Sequence, residues 1–152
     1  QAFGLRREEA IKFQPSYADQ GDHLVLKDSW TKGGKAREIP VRTAAQRAAL
    51  DRAHRLAGRG SLIPAERNYR QQLRVYERHT ANAGLSQLHG LRHAYAQGRY
   101  EELSGWKAPA AGGPTSSSFT REQRAIDREA RLVISRELGH EREQITTVYL
   151  GR

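Results

Sequence analysis

Residues 138–152 read Leu138-Gly139-His140-Glu141-Arg142-Glu143-Gln144-Ile145-Thr146-Thr147-Val148-Tyr149-Leu150-Gly151-Arg152. Gly139 decides how this stretch folds. Upstream, from Thr120, the apolar residues Ala125, Ile126, Ala130, Leu132, Val133 and Ile134 recur at helical spacing. Thr120 and Gln123 are placed as a cap and its reciprocal partner. A glycine directly after such a run predicts a stop at Leu138. His140 and Tyr149 are nine residues apart. On one unbroken helix of about 3.6 residues per turn they would face opposite ways. They share a site only if the chain turns at Gly139 and a new helix starts near Glu143.

The whole chain has 152 residues, enough for a proper core in one domain. Lys+Arg 26 minus Asp+Glu 17 gives a formal charge of +9, with a pI near 10.3. That balance favours a polyanionic partner, nucleic acid or an anionic membrane face. No apolar run approaches the roughly 18 residues of a membrane span, and no export signal is visible. Without cysteine, disulfides and thiolate zinc sites are excluded. Six histidines remain, and none makes a convincing metal-ligand pair with a second histidine or a carboxylate. The chain has no methionine and opens on Gln1-Ala2-Phe3-Gly4-Leu5-Arg6, which reads as the middle of a helix. The expectation is an excised fragment whose N-terminal partner domain lies outside it.

Leu5 to Phe13 makes a short amphipathic helix, with Glu9 three residues after Arg6, able to fix it or simply to form an ordinary surface ion pair with it. Ile11–Phe13 and His23–Leu26 read as strand-like, flanking a polar turn. A hairpin is then expected from His23–Leu26 to Arg37–Val41 around Gly33-Gly34, with Lys32 and Lys35 at its tip. A tip lysine is commonly a solvated edge guard, and it is also a mobile cation that a phosphate site can recruit. Thr43 caps a helix to Ala57 whose basic face carries Arg47, Arg52 and Arg55. Glu66–Asn82 is a second helix with Tyr69, Leu73 and Tyr76 as core. Leu88–Gln97 is a third: Leu88, Leu91, Ala94 and Tyr95 form its packed side, and His89 and Arg92 share another face. Imidazole and guanidinium at that spacing fit an oxyanion clamp, or simply a wet helix surface. Residues 98–120, rich in Pro, Gly and Ser, read as a flexible loop with Trp106 as its anchor.

In order, the marked residues are Arg6 with Glu9, Lys32 in Thr-Lys-Gly-Gly-Lys, His89-Gly-Leu-Arg92-His93, Leu138-Gly139-His140, and Tyr149. The set resembles the tyrosine recombinases, or phage integrases, whose pattern is Arg, Lys, His-x-x-Arg, His or Trp, Tyr. All six positions are filled, and the resemblance covers essentially the whole chain. Two features depart from the pattern. The interval from Arg92 to His140, 48 residues, is long, and its excess coincides with the 98–120 loop. The chain stops three residues after Tyr149, where the family carries a tail.

The resemblance implies an α+β fold of the DNA breaking-rejoining type, mostly helical with a small antiparallel sheet. It implies a single catalytic domain over 1–152, with the family's N-terminal DNA-binding domain missing and 98–120 a flexible insertion. It further implies that Tyr149 attacks a DNA phosphate to give a 3′-phosphotyrosine. A free tyrosine, with a pKa of about 10, is a poor nucleophile without help. Arg6 and Arg92 would grip the non-bridging oxygens. His140 would donate to the same phosphate, Lys32 would protonate the leaving 5′-oxygen, and His89 would serve proton transfer at the tyrosine. Glu9 and His93 stand behind these six as orienting residues. No cofactor or metal is implied. The implied partner is double-stranded DNA, bound by a homotetramer or by a monomer of the isolated fragment, in the bacterial cytoplasm at the nucleoid. The implied role is integration or excision of a mobile element such as a phage. The competing readings are a type IB topoisomerase-like or telomere-resolving strand transferase, a catalytically silent DNA-binding module, and a basic protein with a chance motif set.

Overall fold

The computed structural model describes residues 1–152. The fold is α+β, mostly helical with one two-stranded antiparallel sheet. The chain forms two compact units, Ala2–His89 and Gly90–Arg152, with Gln1 grouped with the second.

In the first unit, α1 spans Arg7–Lys12, α2 Pro15–Ala18, β1 His23–Leu26, β2 Arg37–Pro40, α3 Ala44–Ala57 and α4 Tyr69–Asn82. The opening residues are not mid-helix as the sequence led us to expect. Arg6 is extended, at φ −69 and ψ 155, and Gly4 takes φ 61. The helix starts at Arg7 because the Glu9 carboxylate accepts from the Arg6 amide at 2.7 Å, a cap in the first turn. Ile11 and Lys12 likewise close α1 instead of entering a strand, and Pro15, at the first helical position of α2, starts the next turn.

The hairpin is present. Leu24 pairs with Ile39 and Leu26 with Arg37. Leu24, Leu26 and Ile39 are fully buried, as period-two alternation with one inward face requires. Phe3, Ile11, Phe13, Ala18, Trp30 and Leu50 are the other buried apolar residues of this unit, with the Phe13 and Trp30 rings 6.0 Å apart. Burying each large apolar side chain contributes about 1.5–3 kcal/mol. Thr43 caps α3 through the Gln46 amide at 3.1 Å. In α4 the Asn68–Gln71 capping box moves the start from the expected Glu66 to Tyr69. Tyr69, Leu73 and Tyr76 are half-buried rather than core, and α4 buries no residue fully.

In the second unit, α5 spans Gly90–Ser104, α6 Arg121–Glu137 and α7 Thr147–Leu150. α5 runs past the expected break at Gly98, so the loop begins at Gly105. The reason is Tyr100, fully buried, whose hydroxyl donates to Asp127 at 2.5 Å and accepts from Trp106 Nε1 at 3.1 Å. Burial and then the Asp127 carboxylate push this phenol up to about 12, with the Trp106 N–H working the other way. The Trp106 ring lies 5.4 Å from that of Phe119, so both ends of the 105–120 segment are tied to the same cluster. Its middle forms two short 3-10 turns, Pro109–Ala111 and Ser116–Ser118.

Thr120 caps α6 as expected. At the other end Gly139 takes φ 73. Its amide donates to the Arg136 carbonyl at 2.9 Å, and the His140 amide reaches back to Ser135 at 2.7 Å. These two bonds make a Schellman motif. The chain then re-enters helix through a 3-10 turn at Glu143–Thr146 and α7. Replacing Gly139 by Ala forces a Cβ into a left-handed backbone and is expected to cost about 1 kcal/mol or more. Gly139→Asn, which tolerates that conformation, is expected to cost less. Urea midpoints of the two variants against the parent check the ordering.

Candidate functional site

α5 presents Arg92, Tyr95, Ala96 and Tyr100 inward, with Arg92 only 2% exposed. The packed face expected from the sequence was different: Leu91 is 39% exposed, Ala94 is exposed and Leu88 is half-buried. A buried guanidinium must find acceptors. Arg92 donates through Nη2 to the Leu138 carbonyl, the last carbonyl before the Gly139 turn. The same nitrogen lies 3.3 Å from His140 Nε2. Nε donates to the Tyr149 hydroxyl at 3.1 Å. One side chain thus joins α5 to the end of α6 and to α7.

Arginine has no acceptor, so His140 Nε2 accepts here, which places that ring's proton on Nδ1. Tyr149 is 5% exposed. The His93 ring stands edge-on to it at 4.8 Å and 65°, and the His140 ring is 6.2 Å away. α7 is short, and it is held by its backbone. Gln97 Nε2 donates to the Tyr149 carbonyl at 3.0 Å, and Arg131 Nη1 to the Gly151 carbonyl at 3.1 Å. Gly151 has φ 74, and a Cβ there would meet the Ala110 nitrogen at 2.9 Å. Arg92, His93, His140 and Tyr149 are therefore one cluster.

The remaining expected residues lie in the first unit. His89 is exposed in the turn just before α5, not on the helix with Arg92. Lys32 is exposed in the turn between the strands. Lys35 is exposed too, and Thr31 Oγ1 bridges its amide and carbonyl, fixing the turn's exit. Arg6 Nη1 donates to Glu9 Oε1 at 2.9 Å. The Glu9 side chain is fully buried, and Arg37 forks onto it, Nη1 to Oε1 and Nη2 to Oε2, both at 2.7 Å. Burial works to raise the Glu9 carboxyl, but the Arg37 and Arg6 bonds outweigh it and hold it below the usual carboxylate range.

Arg37 was missed in the sequence. Strand alternation carries the signal: Arg37 shares the inward parity of the buried Ile39, and a charge there needs a partner. Arg47, expected on a basic surface of α3, instead forks onto Asp19 and pairs with Asp51. Arg52 and Arg55 remain exposed.

Chemically, the Arg92 cluster supplies a buried cation, an imidazole and a phenol hydroxyl within one hydrogen-bonded set. That combination suits stabilisation of charge building on a phosphate while a hydroxyl attacks it. No group of three or more His, Asp or Glu side chains is arranged to hold a metal ion. No helix is long and apolar enough to cross a membrane.

Residues 1–98 match the family described as Integrase. The matched part includes Arg6, Lys32, His89 and Arg92 and ends before His140 and Tyr149. No curated protein and no solved structure matches the chain.

Glu9 and Asp19 both have lowered carboxyl values, Asp19 through the Arg47 fork against some burial, with His54 and the Gly21 amide assisting. Folding therefore favours their ionised forms. Their contribution is complete above the unfolded carboxyl range, about 3.9–4.3, and is lost as pH falls through the lower folded values. The contribution of these two carboxylates to unfolding free energy is expected to be flat above about pH 5 and to fall on acidification. Glu9→Gln and Asp19→Asn should each flatten that fall, as read by denaturant titrations at stepped pH.

Proposed function

Because the chain belongs to the integrase family, the phage integrases and tyrosine recombinases, we propose that it is a site-specific DNA recombinase working through Tyr149. Membership supports a recombinase or integrase role, with DNA as the partner. The observation that carries the finer reading is the bond from buried Arg92 to the Tyr149 hydroxyl, with His140 on the same guanidinium. In this reading the Tyr149 oxygen attacks the scissile phosphorus and the bond to the 5′-oxygen breaks. A 3′-phosphotyrosine forms and a 5′-hydroxyl leaves. Energy stays in the ester, so rejoining needs no nucleotide.

Arg92 stabilises charge on the non-bridging oxygens. His140 donates to the phosphate from its protonated nitrogen. On the family pattern Arg6 supplies a second guanidinium to the same reaction. Lys32 protonates the departing oxygen, and its exposed place in a turn between two strands leaves it mobile enough to be delivered. His89 serves proton transfer at the tyrosine. The ring of His93, against Tyr149, orients the phenol. The +9 charge draws the chain to the duplex, with Arg52 and Arg55 of α3 as exposed phosphate contacts. The setting we propose is integration or excision of a mobile element in the bacterial cytoplasm, by a tetramer assembled on DNA.

A nicked DNA substrate that traps the intermediate tests this. The parent chain is expected to give a covalent protein–DNA band, and Tyr149→Phe none. A band that persists in Tyr149→Phe shows that another residue is the nucleophile. Tyr149→Phe removes the acceptor of the buried Arg92 Nε–H, so its stability should fall by about 1–3 kcal/mol. Arg92→Ala should cut the rate by about 10²–10³-fold. It should also destabilise the fold by about 1–3 kcal/mol, because the Leu138 carbonyl is left without its donor. Lys32→Ala and Lys35→Ala separate the two turn lysines: only the first is expected to abolish cleavage.

A further inference from the structure

We propose that Arg37 is a positioning residue for Arg6, and that its task is to keep the charge of Arg6 available to a phosphate. The proposal rests on the strand-transfer reading above. It starts from Glu9, whose carboxylate is fully buried and accepts four hydrogen bonds. Two come from Arg37, in a fork with both contacts at 2.7 Å. Two come from Arg6, one from its amide at 2.7 Å and one from Nη1 at 2.9 Å. Four bonds use the acceptor capacity of a carboxylate.

A carboxylate is an awkward neighbour for a phosphate-binding arginine. It holds the guanidinium in place, but it also cancels its charge and repels an incoming anion. With Glu9 and Arg6 alone the group sums to zero. Arg37 adds one positive charge, so the set carries one in excess. The two arginines are not equally placed. The Arg37 side chain is 7% exposed and the Arg6 side chain 21%. The buried arginine neutralises the buried carboxylate, and the excess charge belongs to the more accessible Arg6. A planar fork is needed because both carboxylate oxygens must be taken at once; a lysine ammonium offers only a point charge. Arg37 begins β2, the strand that follows the turn bearing Lys32. The one side chain therefore also ties the far end of the Lys32 turn to the start of α1.

The test uses Arg37→Gln, Arg37→Lys and the double variant Arg37→Gln/Glu9→Gln in the full chain. Thermal midpoints are recorded for each. The double variant removes the buried charge together with its partner, so a folding defect of Arg37→Gln does not end the experiment. Two quantities are read. The first is the single-turnover rate of covalent-complex formation at saturating nicked DNA. Arg37→Gln is expected to slow it by about 10²-fold, the scale for losing one charge-stabilising donor. Arg37→Lys should fall between. Adding Glu9→Gln should recover at least tenfold, because it restores the excess charge; a merely structural fork predicts a further loss instead.

The second quantity is binding of inorganic phosphate, followed at the Arg6 guanidinium resonance, and it does not depend on strand transfer. Phosphate should shift that resonance in the parent and the double variant, and about tenfold more weakly in Arg37→Gln. If the parent forms no covalent complex but phosphate binding orders the variants this way, the strand-transfer reading fails and the role of Arg37 stands. Equal phosphate binding in parent and Arg37→Gln overturns the proposal. So does a folded double variant that is no faster than Arg37→Gln in a parent that cleaves.

Discussion

A guanidinium cannot be buried without acceptors, and Arg92 is buried. That requirement fixes much of the second unit. Its acceptors come from three places: the carbonyl that ends α6, the imidazole just past the Gly139 turn, and the hydroxyl on α7. If α6 ran on by a further turn, the Leu138 carbonyl would be drawn into the helix's own ladder. If α7 were absent, the Nε proton would lose this acceptor. The positions of His140 and Tyr149 thus follow from satisfying one charged side chain as well as from their own packing.

The first unit solves the opposite problem with the same pieces. There the buried ion is the Glu9 carboxylate, and arginines come to it. Removing one partner from such a set strands a charge and costs several times what the pair contributes. Both units therefore hold their arginines by necessity rather than by loose surface pairing. A residue aimed by a buried network keeps its angle when a ligand arrives, and that preorganisation is what electrostatic stabilisation of a developing oxyanion requires.

The parts legible in the sequence were those governed by local rules. Thr43 as a cap and Thr120 with Gln123 three residues on announced two helix starts. Gly139 announced the turn that separates His140 from α6. The hairpin followed from alternation around Gly33-Gly34. The parts that escaped depend on burial, which spacing does not reveal. On α5, apolar Leu91 and buried Arg92 are neighbours, and hydrophobicity alone points to the wrong one. Tyr69, Leu73 and Tyr76 have core-like spacing on a helix that packs at the margin. Arg47 looks like a surface cation and is tied to Asp19. Arg37 carries no motif; only its parity in the strand hints that it points inward. Of the candidate site, the turn that lets His140 and Tyr149 meet was readable, while the carboxylate fork and the tether from Arg92 to the Leu138 carbonyl were not.

The grips on α7 have a practical result. Gln97 and Arg131 reach main-chain oxygens, at Tyr149 and Gly151, and ignore the identity of the side chains between. Fluorinated tyrosines installed at 149 would alter the acidity of the phenol while these anchors stay as they are. The helix is a socket into which phenols of graded acidity can be fitted, so that a response to that acidity is read apart from any change in how the helix is held.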